Sequence, residues 1–81
     1  MIKSLPLSCI PVGARGIISA VNGDFKNKDR LSELGFTKDA EVMALHKSPN
    51  GDPAAYYIKG SVMALRREDA DNILIKFREE Y

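Results

Sequence analysis

Most of this chain reads as short, largely apolar strands whose residues fall on two faces with a period of two, and the spacing turns helical once. Residues 14–22 read as a strand, with Ile18 and Ala20 on one face and Ile17, Ser19 and Val21 on the other. Gly16 inside that run predicts a bulge or a strong bend. Asn22-Gly23-Asp24 is a turn signal. Residues 25–34 form the helix: Leu31 and Leu34, three apart, share its apolar face. Asn27 or Asp24 can cap its start. Gly35 supplies the left-handed position that ends it, and Phe36 can fold back onto the same apolar face. Lys26, Lys28, Asp29, Arg30 and Glu33 give the helix a charged outer face.

Residues 37–40 turn into a second strand over 41–47, with Val42 and Ala44 facing one way and Met43 and Leu45 the other. The segment 48–53, Ser-Pro-Asn-Gly-Asp-Pro, is the strongest loop signal. Strands over 54–59 and 62–66, joined at Gly60-Ser61, read as a hairpin. Residues 67–71 have room for one helical turn. The last strand, 72–78, sets Ile73, Ile75 and Phe77 against Leu74 and Lys76. Residues 1–13 read as a lead-in, because Pro6 and Pro11 prevent a regular helix; their apolar side chains are placed over an open edge of the core. Residues 79–81 form a polar tail, frayed at the end.

Five short antiparallel strands, with the helix in the connection between the first two, predict a mainly β fold: a small, partly open barrel filled by side chains. The expected core is Ile18, Val21, Leu31, Leu34, Val42, Ala44, Ile58, Met63, Leu65, Ile73 and Ile75.

Composition narrows the function more than the fold. With 81 residues the chain is expected to be one domain, residues 1–81, with a thin stability margin. Twelve basic residues against eleven acidic ones leave a net charge of +1, which disfavours bulk attraction to nucleic acid or to an anionic membrane. Apolar runs fall far short of the ~20 residues of a membrane span, so no direct membrane insertion is expected. The start is only loosely like a signal peptide, broken by Pro6 and Pro11, and one cysteine allows no internal disulfide; both predict a mature cytoplasmic chain.

Little in the chain carries chemistry. A metal site needs several ligands within about 2.0–2.6 Å of the ion, and His46 and Cys9 are the single histidine and cysteine. His46 reads as a surface strand residue and Cys9 as a small apolar packer. No metal site and no cofactor are expected. Gly13-Ala14-Arg15-Gly16 lacks the length and the Lys-Ser/Thr ending of a phosphate loop, and no nucleophile motif flanks a serine, so an enzyme is not expected. Tyr56 and Tyr57 with Lys59, Arg66 and Arg67 could stack on and clamp a nucleic-acid strand; alternation instead splits the two rings between core and surface. What remains is a module that binds a partner. Its candidate surface is Lys28, Arg30 and Glu33 on the helix, the helix end at Gly35 and Phe36, and Pro49, Asp52 and Pro53 in the loop.

An ordered series of residues then resembles the FeoA family, the small ferrous iron transport proteins A. The series runs Arg30-Leu31-x-x-Leu34-Gly35-Phe36, Val42, Pro49-x-Gly51-Asp52-Pro53, Ile58-x-Gly60, Ala64-Leu65-Arg66, Ala70 and Ile73, with Gly13 and Ile18 upstream. It covers about residues 4–77. The resemblance implies an SH3-like β-barrel with a helix inserted between its first two strands. It also implies a cytoplasmic accessory protein without enzymatic activity, whose partner is the cytoplasmic part of a FeoB-type membrane GTPase transporter. No nucleic acid is expected as ligand, and a monomer or weak oligomer is. The alternative is an SH3-like regulatory or nucleic-acid-binding module, as in the domains fused to iron-dependent repressors. Direct Fe(II) binding is a third possibility, for which no tight site is expected. One departure stands out: where the family usually has Pro-Gly before the second strand, this chain has Lys38-Asp39. A positive φ is expected at Asp39, one of the few residues besides glycine that tolerate it.

Overall fold

The computed structural model describes residues 2–78. The tail predicted over 79–81 lies outside them. The elements run β1 (Ile2–Pro6), a 3-10 turn (Leu7–Cys9), β2 (Arg15–Val21), α1 (Phe25–Glu33), β3 (Glu41–Lys47), β4 (Ala54–Ile58), β5 (Ser61–Leu65), α2 (Arg67–Ala70) and β6 (Ile73–Arg78). All pairings are antiparallel, in the order β1-β6-β2-β3-β4-β5. The mainly β architecture with one inserted helix agrees with expectation. The strand count does not: among the described residues there are six strands, because Ile2–Pro6 in the lead-in pairs with β6, Leu5 opposite Ile75 and Pro6 opposite Leu74. That strand has little apolar alternation and ends on a proline, which an edge strand tolerates. Backbone pairing with β6, which side-chain patterning does not report, places it in the sheet, and its Leu5 packs against the core. The open barrel edge between β1 and β5 is where the 3-10 turn packs against α2.

The core follows the alternation. Val42 and Ala44 of β3, Ala54, Tyr56 and Ile58 of β4, and Ile73 and Ile75 of β6 are buried, together with Ile18, Leu31 and Leu65. Val21, Leu34 and Met63, expected in the core, pack on its margin half-buried. Leu7, Ile10, Phe36, Ala54, Tyr56 and Ala70 join it beyond expectation. Leu7 and Ile10 are fully buried because a 3-10 turn eclipses positions three apart, and it leaves Cys9 exposed instead of packed. Tyr56 and Tyr57 split between core and surface as alternation requires. The bulge in β2 falls at Ser19, where the register with β6 shifts between Ile18 and Ala20, not at Gly16. Gly16 marks a close approach instead: a Cβ there would lie 2.9 Å from the Lys76 carbonyl oxygen.

Helix α1 is closed at both ends by its own sequence. Asp24 is the cap, its Oδ1 accepting from the Asn27 amide at 2.9 Å. At the other end Gly35 adopts φ +106°. The Gly35 amide donates to the Ser32 carbonyl at 3.0 Å and the Phe36 amide to the Leu31 carbonyl at 2.9 Å, a Schellman pair. That pair turns Phe36 back beside Leu31, and both are buried. In the hairpin the turn residues are Lys59 (φ 46°) and Gly60 (φ 82°), one position earlier than expected, with Ile58 paired to Ser61. Two successive positive φ values match the right-handed twist of the flanking strands.

Asp39 has φ 72°, and the Ala40 amide donates to the Thr37 carbonyl at 3.1 Å, the pattern of a type II turn. Glycine takes that conformation without penalty. Asp39→Gly is therefore expected to stabilise the fold by about 0.5–1 kcal/mol, raising Tm by several degrees in a thermal melt; an unchanged or lower Tm would show the turn to be unstrained.

Candidate functional site

Helix α1 presents three faces with different fates. Its inner face, Leu31 and Leu34, packs on the sheet. On one flank the Arg30 guanidinium donates to Asp69 Oδ1 at 2.7 Å; Asp69 is 13% exposed and Arg30 48%. Asp69 belongs to α2, whose first amide, that of Arg67, is capped at 3.0 Å by Asp52 Oδ1. The helix and the loop 48–53, far apart in the sequence, are thus joined through α2. Arg30 and Asp52 hold this junction. Pro49 and Pro53 are exposed, as are Lys28 and Glu33 on α1. Phe36 is not at the surface: at 1% exposure it is a core residue and offers a partner no anchor. Gly35, half-buried, sets the helix stop.

The other flank of α1 faces β2 across an open groove of about 460 Å³. Ala20, Val21 and Phe36 line its apolar part, and Lys28 and Ser32, four apart on the helix, form one wall. Lys38, in the turn held by Asp39, and Thr37 close the far end. Two hydroxyls are engaged: Ser19 donates to the Leu74 carbonyl at 3.2 Å, and Thr37 accepts from Lys59 Nζ at 3.1 Å. Lys28, Lys38 and Ser32 make no ion pair or side-chain hydrogen bond among the described residues. The spacing of Lys28 and Ser32 (i, i+4) carries this stripe in the sequence. Lys38 carried no such signal, since its place depends on the turn geometry.

The remaining reactive groups do not assemble. Burial pushes the Tyr56 phenol above its ordinary range, with Asp71 and Cys9 adding to the effect. Ser8 hydrogen-bonds Asp71 and its carbonyl accepts from Lys47 Nζ at 3.1 Å, tying the 3-10 turn to α2 and β3. Among the described residues no three His, Cys, Asp or Glu side chains are placed to share a metal ion. No helix among them is long and apolar enough to cross a membrane.

Solved structures share this architecture. A FeoA-like protein from Clostridium acetobutylicum superposes with a TM-score of 0.88 at 23% identity, covering 100% of this chain and 94% of that one. Zinc-complexed FeoA from Stenotrophomonas maltophilia, described as a prokaryotic SH3 domain protein, gives 0.76 at 28% identity, covering 88% of each. A manganese-dependent transcriptional repressor gives 0.85 at 16% identity; 93% of this chain matches 37% of the repressor, a likeness of fold alone. No curated protein gives a significant match. The FeoA domain family matches residues 5–76, nearly the whole chain. This chain, an open six-stranded SH3-like sheet with a capped helix in its longest connection, belongs to the FeoA family.

Proposed function

We propose that this protein is a cytoplasmic accessory module of bacterial ferrous iron uptake, which docks on the cytoplasmic part of a FeoB-type GTPase transporter and modulates it. The family match over residues 5–76 carries this reading. The S. maltophilia relative is put forward as a ferrous iron transport activating factor. A role in docking suits the site: α1 stands between the sheet and solvent, with one flank locked to α2 through Arg30 and the other left open. The docking surface is Glu33 on the helix with Pro49 and Pro53 in the loop that α2 joins to it, and Lys28 stands on the open flank. Arg30, Gly35, Phe36 and Asp52 hold that surface in shape.

Isothermal titration of the full chain against the purified cytoplasmic part of the transporter tests this. Saturable binding is expected, with Kd in the micromolar range set by a small interface. Glu33→Arg is expected to weaken it several-fold without altering the fold. No heat at about 100 μM of both partners would remove the reading. Salt-dependent binding to duplex DNA would favour the regulator-type alternative instead.

A further inference from the structure

We propose that the groove between α1 and β2 is the docking site for a short acidic segment of the transporter's cytoplasmic part, carrying one apolar anchor side chain. The partner's identity rests on the accessory reading; the chemistry of the segment rests on the groove. Its apolar part, the half-buried Ala20 and Val21, gives an anchor side chain a surface to leave water against. The two charged residues in its lining are both cations, Lys28 and Lys38, and no carboxylate lines it. Neither lysine has a partner among the described residues. Two lysines lining a partly apolar groove, neither ammonium group paired among the described residues, suit a ligand that is apolar in the middle and anionic on both sides.

The site is also preorganised, which lowers the cost of binding. The turn that carries Lys38 is tied to β2 twice: the Asp39 amide donates to the Ile18 carbonyl at 2.7 Å, and the Ile18 amide to the Ala40 carbonyl at 2.9 Å. The Lys28 wall is fixed by the Asp24 cap and by Leu31 in the core. Ser32, its hydroxyl unused, faces the groove as a hydrogen-bonding group for a segment's backbone. Two other anionic ligands fit less well. Attraction to an anionic membrane calls for clusters of roughly four to eight basic residues, and this groove has two. A stacked nucleic-acid base needs an exposed ring, and Phe36 is 1% exposed.

The test is amide shift mapping on the full chain with a capped Glu-Asp-Leu-Phe-Asp-Glu peptide as probe, titrated to about 5 mM to detect millimolar affinity. Saturable shifts are expected at Ala20, Val21, Ser32, Thr37 and Lys38. The double variant Lys28→Glu/Lys38→Glu changes two exposed side chains and is expected to keep its amide dispersion. It is expected to lose the acidic peptide at least about 10-fold and to bind a capped Lys-Lys-Leu-Phe-Lys-Lys peptide instead. A flat titration, shifts centred elsewhere, equal binding of a Gln-for-acid analogue, or shifts at these amides with phosphatidylserine vesicles in place of the peptide would each overturn the proposal. Titration of the transporter's cytoplasmic part separates the two readings. If wild type and the double variant bind it equally, the groove proposal falls and the accessory role stands. If it does not bind while the peptide enters the groove, the accessory role falls and the acidic specificity of the groove stands.

Discussion

Phe36→Ala is expected to lower the unfolding free energy by about 3–5 kcal/mol, the cost of emptying a buried aromatic site. Phe36 is 1% exposed and lies beside Leu31 at the end of α1, turned inward by the hydrogen bonds of Gly35 and of its own amide. A helix of nine residues is unstable alone, so its attachment depends on these few side chains. A domain of this size has a total stability of about 4–12 kcal/mol. The variant therefore stands near its folding threshold, and urea unfolding followed by circular dichroism reads the shift directly. A loss under about 1 kcal/mol would mean that the ring does not pack as the structure shows. Loss of partner binding by this variant would report unfolding, whereas the exposed changes at Glu33, Lys28 and Lys38 report the surface itself.

Phe36 also shows where patterning stops. Its place after Gly35 is a sequence signal, and folding back onto the helix face follows from it. Whether the ring then ends in the core or at the rim depends on how close the sheet comes, which no local pattern fixes. β3, β4 and β6 were legible because each is a run rich in apolar, β-prone residues bounded by turn signals. β1 was not, since Lys3 and Ser4 interrupt it and Pro6 ends it. At Asp39 local chemistry sufficed: a turn position that tolerates positive φ adopts it, at 72°. The candidate surface divides along the same line. Lys28 and Glu33 are exposed because they lie off the Leu31 face. Arg30 and Asp52 are joined through α2, via Asp69 and Arg67, by contacts separated by 39 and 15 residues. The groove lies further still from local pattern, because β2, α1 and the 37–40 turn meet there only in the folded chain.

Gly16→Ala is expected to cost about 2–3 kcal/mol, although it adds a single methyl group to a residue of ordinary φ. The added carbon would lie 2.9 Å from the Lys76 carbonyl oxygen and 3.0 Å from Ile75 Cδ1. The first is backbone of the paired strand β6 and the second a core side chain, so neither is free to swing away, and β2 has to lift from β6 locally. Gly13→Ala separates this cause from glycine strain in general: Gly13 has φ +91° but nothing within 4 Å of a Cβ, so its cost is confined to backbone strain of about 1 kcal/mol. Urea unfolding of both variants is expected to rank Gly16→Ala as the more damaging; the reverse order would mean that β2 and β6 do not approach so closely. Hydrogen exchange adds a local readout, with protection expected to fall first in the β2–β6 ladder. Ser19, Ala20 and Val21 continue from Gly16 along β2 and form one side of the groove. A lifted β2 moves that side relative to Lys28 and Lys38, so Gly16→Ala is expected to weaken the acidic peptide as well as the fold. Gly13→Ala, upstream of the strand, is expected to leave peptide binding intact at equal folded fraction.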